Sequence, residues 1–171
     1  MAILWSAALE LRTRTDFALV QASLQSNHLH GIVEARSAEA LADGMRCLLI
    51  RLARRWNRSW NRRGPVFDGA YHARSLRSPR EARDALVYVL QNGRKHGVTS
   101  ARELDPFSSA AWFDGWAGTS RHRLLHRGPL APARTWLLQH GWRIRGSLDR
   151  RESPRPSRSP GRAGLVDPDA G

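Results

Sequence analysis

Two β-type segments joined by only two residues constrain the fold of this chain more than any other feature of its sequence. Residues 19–25 and 28–34 carry the alternation of apolar and polar side chains that is typical of strands, and the connecting Ser26 and Asn27 are typical of a turn. So short a connection allows only an antiparallel pair, because parallel strands need a crossover of a dozen or more residues. The sequence therefore predicts a β-hairpin around which the other elements pack.

Two amphipathic helices are predicted after the hairpin, and each begins at a serine. Ser37 precedes a helix over residues 38–61, in which leucines recur at helical spacing. Ser78 and Pro79 begin a second helix that runs to about Asn92, because serine caps helix N-termini and proline suits the first helical position. Each helix is expected to bury its apolar stripe.

An aromatic, β-favouring segment lies between the two helices. Residues 66–76 are predicted to form a strand with a bulge at Gly69. The order strand, strand, helix, strand and helix predicts an α+β domain with a mainly antiparallel sheet. We therefore divide the chain into a domain at 1–100, a helical extension at 101–148 that packs on it, and a disordered tail at 149–171 rich in Arg, Ser and Pro.

The charge balance predicts a polyanionic partner, of which nucleic acid is the commonest. Lys and Arg number 28 against 15 Asp and Glu, which gives a formal net charge of +13. The sequence contains no apolar run of about 18 residues, so we expect no membrane span. Cys47 is the only cysteine, which excludes a disulfide framework within the chain, and a cytoplasmic location is expected.

The first of the two predicted helices carries the densest positive charge. Residues 44–63 include seven arginines and no acid, with Trp56 and Trp60 one helical turn apart. Arginines can follow a phosphate backbone and tryptophans can stack on bases, so this segment predicts a nucleic-acid surface. A solvated face whose tryptophans enter the core is the alternative. The predicted contacts are Arg51, Arg54, Arg55, Trp56, Arg58, Arg62, Arg63 and Arg74.

A histidine pair on the second strand is a candidate metal site. His28 and His30 alternate with Leu29, so both imidazoles project from the same face. Their Cβ atoms are expected to lie about 7 Å apart, a separation that lets both rings reach one divalent cation. Structural or partly exposed histidines are the alternative.

Tyr88 stands apart from the apolar stripe of its predicted helix. Leu86 and Val89 belong to that stripe, whereas Tyr88 falls on the opposite, polar side. Gln91 and Asn92 follow at i+3 and i+4, which puts a neutral oxygen ligand beside a phenol. A phenol can attack phosphorus to form a covalent phosphotyrosine. A surface tyrosine without a chemical role is the alternative.

Several segments together resemble one family of DNA strand-transfer enzymes. Residues 25–34 (QSNHLHGIVE) are similar to the histidine–hydrophobic–histidine strand of the single-tyrosine HUH transposases, especially their REP-associated branch. Residues 63–67 (RGPVF) and 71–74 (YHAR) resemble the strand before the tyrosine helix in that family, and residues 85–92 (ALVYVLQN) resemble that helix. The resemblance covers residues 17–97.

The resemblance implies a ferredoxin-like α+β fold acting on single-stranded or hairpin DNA, through a 5′-phosphotyrosine intermediate with a free 3′-OH. His28 and His30 match the histidines that hold Mg²⁺ or Mn²⁺ in the family, and Tyr88 matches the nucleophile. Asn92 matches the position of the third metal ligand, and Gln91 is its rival.

The chain departs from the family before the hairpin. Family members have a strand and a helix there, whereas sixteen residues precede Phe17 here. Residues 2–5 favour a strand or residues 4–11 a helix, but there is no room for both at normal length. We therefore expect the fold to lack part of the N-terminal strand–helix unit.

Together these features predict a metal-dependent single-tyrosine transposase or nuclease that acts as a monomer or a homodimer. One alternative is a non-catalytic nucleic-acid-binding relic of such an enzyme, and another is a basic RNA-binding protein with incidental histidines. A covalent protein–DNA adduct separates the first function from the other two.

Overall fold

The computed structural model describes residues 1–25, 27–95, 103–118, 128–154 and 164–165. Ser26 of the predicted turn and residues 155–163 and 166–171 of the predicted tail lie outside the described residues. The helices are α1 (Ala2–Leu11), α2 (Ala38–Ser59), α3 (Pro79–Leu90), α4 (Asn92–Lys95) and α5 (Trp136–Gln139), with 3₁₀ segments at Ser109–Trp112 and Gly141–Arg145. The strands are β1 (Phe17–Gln25), β2 (His28–Ala35), β3 (Phe67–Asp68) and β4 (Gly164–Leu165).

The hairpin has the predicted antiparallel form. β1 pairs with β2 along its whole length, with a bulge near the middle of β1. At the turn end, Gln25 lies opposite His28 and Ser23 lies opposite His30. Directly opposed residues of antiparallel strands project from the same face, so these four side chains share one face of the sheet.

The other two strands are only two residues long. Gly164 of β4 pairs with His28 of β2 on one side and with Asp68 of β3 on the other, which gives the strand order β1-β2-β4-β3. The prediction of a strand over residues 66–76 is therefore wrong beyond Asp68. Gly69 adopts a φ of +69°, in the left-handed region that glycine tolerates, and the extended backbone ends there.

Both predicted helix N-caps are confirmed. The hydroxyl oxygens of Ser37 and Ser78 each accept a hydrogen bond at 3.2 Å from the backbone N–H three residues on. α2 ends at Ser59, slightly before its predicted end. α3 ends at Leu90, and the backbone leaves the helical conformation at Gln91 before the single turn of α4.

The C-terminal extension covers the edge of β1 that faces away from β2. The Leu24 N–H donates to the Phe107 carbonyl at 2.8 Å, and the Ala131 N–H donates to the Leu19 carbonyl at 3.0 Å. These bonds satisfy backbone groups that an unpaired edge strand would expose. Within the described ranges, a helix rather than a strand precedes β1, and this helix packs on α2.

The hairpin separates two hydrophobic cores. The core on the α1 and α2 face includes Leu4, Leu11, Phe17, Leu48, Leu52 and Trp56. The core on the α3 face, shared with the C-terminal extension, includes Ile32, Leu86, Leu90, Phe113, Trp116 and Trp142. The predicted α+β class is confirmed, and the arrangement is compatible with a ferredoxin-like fold that lacks part of its N-terminal unit. None of the described helices is long and apolar enough to cross a membrane.

Candidate active site

The two predicted metal histidines lie on the α3 face of the hairpin. The strand alternation places them on the same side as the buried Ile32. The His28 and His30 ring centroids are 6.2 Å apart, with an angle of 74° between the ring planes. Nδ1 of His28 lies 3.0 Å from the Asn27 carbonyl oxygen. Because a carbonyl only accepts, this contact favours the tautomer with the proton on Nδ1, in which Nε2 is the ring nitrogen available to a cation.

α3 brings Tyr88 to the same place. The Tyr88 ring lies edge-on to the His30 imidazole, with centroids 5.1 Å apart and planes at 89°. Tyr88 is half-buried and packs against the core that contains Leu86. Tyr88, which the sequence places on the polar side of α3, therefore faces the hairpin rather than open solvent. The reason is that α3 is covered on two sides, by the hairpin and by the 3₁₀ segment Gly141–Arg145.

The two amides that follow Tyr88 have different surroundings. Asn92 is fully buried, and neither its Oδ1 nor its Nδ2 has a hydrogen-bond partner among the described residues. Gln91 is also buried, but its Nε2 donates to the Asp149 carbonyl at 3.0 Å. An unsatisfied buried polar group costs about 1–3 kcal/mol, so a buried amide without partners calls for an explanation. Oε1 of Gln91 likewise has no partner among the described residues, so a bound cation could satisfy the oxygen of either amide.

A buried carboxylate outside the predicted site ties these elements together. Oδ2 of Asp105 accepts from Nε2 of Gln25 at 2.5 Å and from the Gly93 N–H at 2.8 Å, and Oδ1 accepts from a second backbone N–H at 2.8 Å. Gly93 follows Asn92 in the chain, and Gln25 lies opposite His28. The Asp105 carboxylate therefore holds the segment that carries Asn92 against the end of the hairpin that carries His28.

The first residues of the predicted tail contact α3 and α4. Oε1 of Glu152 lies 2.6 Å from Nη2 of Arg83, and Nη1 of Arg94 donates to the Glu152 carbonyl at 3.3 Å. Burial lowers the pKa of the Arg94 guanidinium, and the nearby Asp149 carboxylate opposes that shift. Residues 149–154 thus pack on the helix that carries Tyr88.

The side chains present fit a divalent cation. Two imidazoles from β2 and one buried amide oxygen are ligands that Mn²⁺ or Mg²⁺ accepts, with further coordination positions left for oxygen atoms. In the part of the chain that the structure describes, no group of three or more His, Cys, Asp or Glu could hold a metal ion, so a third ligand beside the two histidines has to be a neutral oxygen such as that of Asn92 or Gln91. Ser23, opposite His30, adds a buried Oγ that has no partner within the described ranges.

Three of the predicted nucleic-acid residues contact other side chains of the protein. Arg51 and Arg55 both pair with Glu10 of α1, so the basic run of α2 is partly neutralised by an acid from another element. This contact, chiefly through Arg55, holds the pKa of the Glu10 carboxyl below its usual range. Trp56 is only 6% exposed and belongs to the core. The prediction that Trp56 contacts nucleic acid is therefore wrong.

The remaining predicted contacts stay at the surface. Arg54, Arg58 and Arg63 are exposed and form no ion pair with any described residue. Arg74 is exposed in the irregular segment before α3. Arg62 is half-buried, and its Nη2 donates to a backbone carbonyl at 3.1 Å.

The basic helix lies on the opposite face of the sheet from Tyr88. However, only two residues link β2 to α2, so α2 runs back across the sheet and its C-terminal end returns towards His28. The Trp56 ring lies 5.7 Å from the ring of Phe67 in β3, and β3 is joined through β4 to His28. The basic end of α2 and the histidine site therefore lie at the same end of the hairpin.

No family model, curated protein or solved structure matches the chain. The geometry around His30 and the distribution of charge are therefore the observations that bear on function. The contact between His30 and Tyr88 joins side chains from two distinct elements, which is the arrangement expected of a site rather than of a single motif.

Removing the Asp105 carboxylate tests whether this network holds the site. We expect Asp105→Ala to destabilise the fold by about 2–4 kcal/mol, because three N–H groups lose their acceptor. Asp105→Asn keeps one oxygen and should destabilise the fold less. Asp114→Ala removes an exposed partner of Arg143 and should change the free energy of unfolding by less than about 1 kcal/mol. Urea unfolding measures all three variants, and equal midpoints for the two alanine variants would contradict the prediction.

Proposed function

We propose that this chain cleaves and transfers strands of single-stranded or hairpin DNA, with Tyr88 as nucleophile and a 5′-phosphotyrosine as intermediate. The observation that carries the proposal is the edge-on contact between the Tyr88 and His30 rings, 5.1 Å between centroids, with His28 on the same face of the strand. A phenol from α3 and two imidazoles from β2 therefore meet at one place. The buried amide of Asn92 follows four residues after the phenol.

Tyr88 makes the new bond in this reaction. Its phenol oxygen attacks the scissile phosphorus and gives its proton to water, and a phosphorus–oxygen bond to the tyrosine forms. The bond between phosphorus and the 3′ oxygen of the preceding nucleotide breaks, and that oxygen leaves as a 3′-hydroxyl after taking a proton. Attack of a 3′-hydroxyl on the phosphotyrosine reverses these steps and joins two strands.

His28, His30 and Asn92 would hold the divalent cation, Mg²⁺ or Mn²⁺. When bound, the cation supplies positive charge that polarises the oxygens of the scissile phosphate. The other contacts of the site orient these three side chains: the Asn27 carbonyl fixes the His28 ring, and Asp105 fixes the segment that carries Asn92. Gln91 is the rival ligand, because its Nε2 donates to a backbone carbonyl but its Oε1 is buried without a partner among the described residues.

The charge distribution supports a nucleic-acid substrate. The chain carries a net charge of +13, and Arg54, Arg58 and Arg63 are exposed near the C-terminal end of α2. Because that end lies beside the hairpin end that carries His28, one strand can contact both by passing around the end of the sheet. Phosphate contacts of this kind hold a strand without selecting its sequence.

Neutralising the exposed arginines of α2 should weaken the salt dependence of DNA binding. If about six phosphates are engaged, the log–log slope of affinity against salt for a single strand is near −4, from about −0.7 per phosphate. Substituting glutamine for Arg54, Arg58 and Arg63 together should flatten that slope by up to about 2, because three contacts are lost. Fluorescence anisotropy at several salt concentrations measures the slope.

A second triple variant controls for the change in net charge. Arg80, Arg145 and Arg151 are also exposed but lie outside α2, and their replacement by glutamine removes the same charge. We expect the slope to change less in this control than in the α2 variant. The same change in both variants would assign binding to the overall charge rather than to α2.

A covalent protein–DNA adduct tests the proposed function. The purified protein is incubated with labelled hairpin DNA and Mn²⁺ and then separated on a denaturing gel. Label that remains with the protein supports a phosphotyrosine intermediate, because non-covalent complexes dissociate in denaturant.

A further inference from the structure

A stacked pair of tryptophans lies at the C-terminal end of the basic helix. The Trp56 and Trp60 rings are parallel within 4°, with centroids 5.9 Å apart. Trp56 is buried against Phe67, whereas Trp60, the C-cap residue of α2, is 43% exposed. The buried ring therefore supports the exposed one in a fixed orientation, which reduces the entropy that the exposed ring would lose on binding a ligand.

Positive charge surrounds the exposed ring. Arg58 and Arg63 are exposed on either side of Trp60 in the sequence, and the Arg62 guanidinium carbon lies 5.9 Å from the Trp60 ring centroid. The Asn57 amide donates to the Gly64 carbonyl at 2.8 Å and ties the following loop to the helix. An exposed aromatic ring near arginines that form no ion pair with any described residue matches a ligand that combines a planar ring with a negative backbone.

We propose that Trp60 is a stacking platform for one base of a single-stranded nucleic acid, and that Arg58 and Arg63 contact the phosphates on either side of that base. An exposed base offers the planar π-face, and its phosphates offer the negative charge. The site lies on the opposite face of the sheet from Tyr88, so it binds a nucleotide away from the scissile phosphate. The inference rests on the proposed function for the identity of the strand, but the contact itself requires neither metal nor cleavage.

Affinity measurements in the Tyr88→Phe background, without metal, test the platform separately from cleavage. We expect Trp60→Ala to weaken binding of a single-stranded oligonucleotide about 5- to 100-fold, the usual effect of losing one stacked base. Trp60→Phe keeps an aromatic face and should restore most of the affinity. Trp136→Ala removes another exposed tryptophan, 58% exposed on α5, and should leave affinity unchanged. Circular dichroism confirms that each variant is folded.

A fluorescent base locates the stacking directly. 2-Aminopurine is placed at successive positions of the oligonucleotide, and one position should show quenching that Trp60→Ala abolishes and Trp136→Ala preserves. DNA and RNA oligonucleotides of the same sequence are compared. Loss of affinity for either one in Trp60→Ala supports the platform and shows which type of nucleic acid stacks on Trp60. Unchanged affinity and unchanged quenching in Trp60→Ala, for both strands, would overturn the inference while leaving an adduct through Tyr88 unaffected.

Discussion

Replacing Tyr88 with phenylalanine should eliminate covalent attachment of DNA to the protein. The change removes only the phenol oxygen, so the nucleophile is lost outright while the ring remains to pack against His30. The fold and the affinity for DNA should therefore change little. We expect no adduct above background in a gel that shows a clear adduct for the unaltered protein.

Tyr71→Phe is the matched control for this loss. The chain has only two tyrosines, and Tyr71 lies in the irregular segment between β3 and α3. Its substitution removes the same atom elsewhere and should leave the adduct intact. Hairpin DNA labelled separately at the 5′ and 3′ ends gives the polarity: label retained only from the 3′ side of the cut identifies a 5′-phosphotyrosine.

Two results would contradict the assignment of Tyr88. An adduct that persists in Tyr88→Phe would show that another residue is the nucleophile. A folded, DNA-binding protein that forms no adduct under any metal condition would favour a non-catalytic nucleic-acid-binding protein.

Interactions between residues close in sequence account for the parts of the fold that could be predicted. The two-residue link forces strands β1 and β2 to be antiparallel, and the caps at Ser37 and Ser78 join groups only three residues apart. The strand period likewise places His28 and His30 on one face without knowledge of the remaining chain. Each of these rules depends on local geometry alone.

Contacts between distant residues account for what the sequence did not reveal. Gln25 and Asp105 are 80 positions apart, and Glu10 and Arg55 are 45 apart. No local pattern indicates that either pair meets, so both the buried carboxylate and the neutralised arginines were missed. The helical period shows which side of α3 carries Tyr88, but only tertiary packing shows that the hairpin covers that side.

The two tryptophans at the C-terminal end of α2 also combine one feature that the sequence predicts with another that depends on tertiary packing. Their spacing of four residues places Trp56 and Trp60 on one side of a helix, but it does not indicate how deeply each is buried. The helix ends at Ser59, so Trp60 lies just beyond the last turn that packs on the sheet. One ring therefore enters the core while the other remains at the surface.

Substituting alanine for His28 or His30 should reduce metal-dependent cleavage by more than about 100-fold, because a cation held by one imidazole and one amide has lost a third of its protein ligands. DNA binding should remain nearly intact, since the exposed arginines lie on the opposite face of the sheet. His72→Ala and His140→Ala, which remove exposed histidines elsewhere, are the controls and should cleave normally. Initial rates of adduct formation across a Mn²⁺ titration measure the effect.

Separate substitution of Asn92 and Gln91 identifies the third ligand. Asn92→Ala should raise the Mn²⁺ concentration needed for half-maximal cleavage, because its buried oxygen has no partner among the described residues that could compete with a cation. Gln91→Ala removes a bond to the Asp149 carbonyl and also a buried oxygen without a partner among the described residues, and it should alter that concentration less if Asn92 is the third ligand. Full activity in the His28→Ala/His30→Ala double variant would contradict the metal site altogether. A larger rise in the required Mn²⁺ concentration in Gln91→Ala than in Asn92→Ala would identify Gln91, rather than Asn92, as the third ligand.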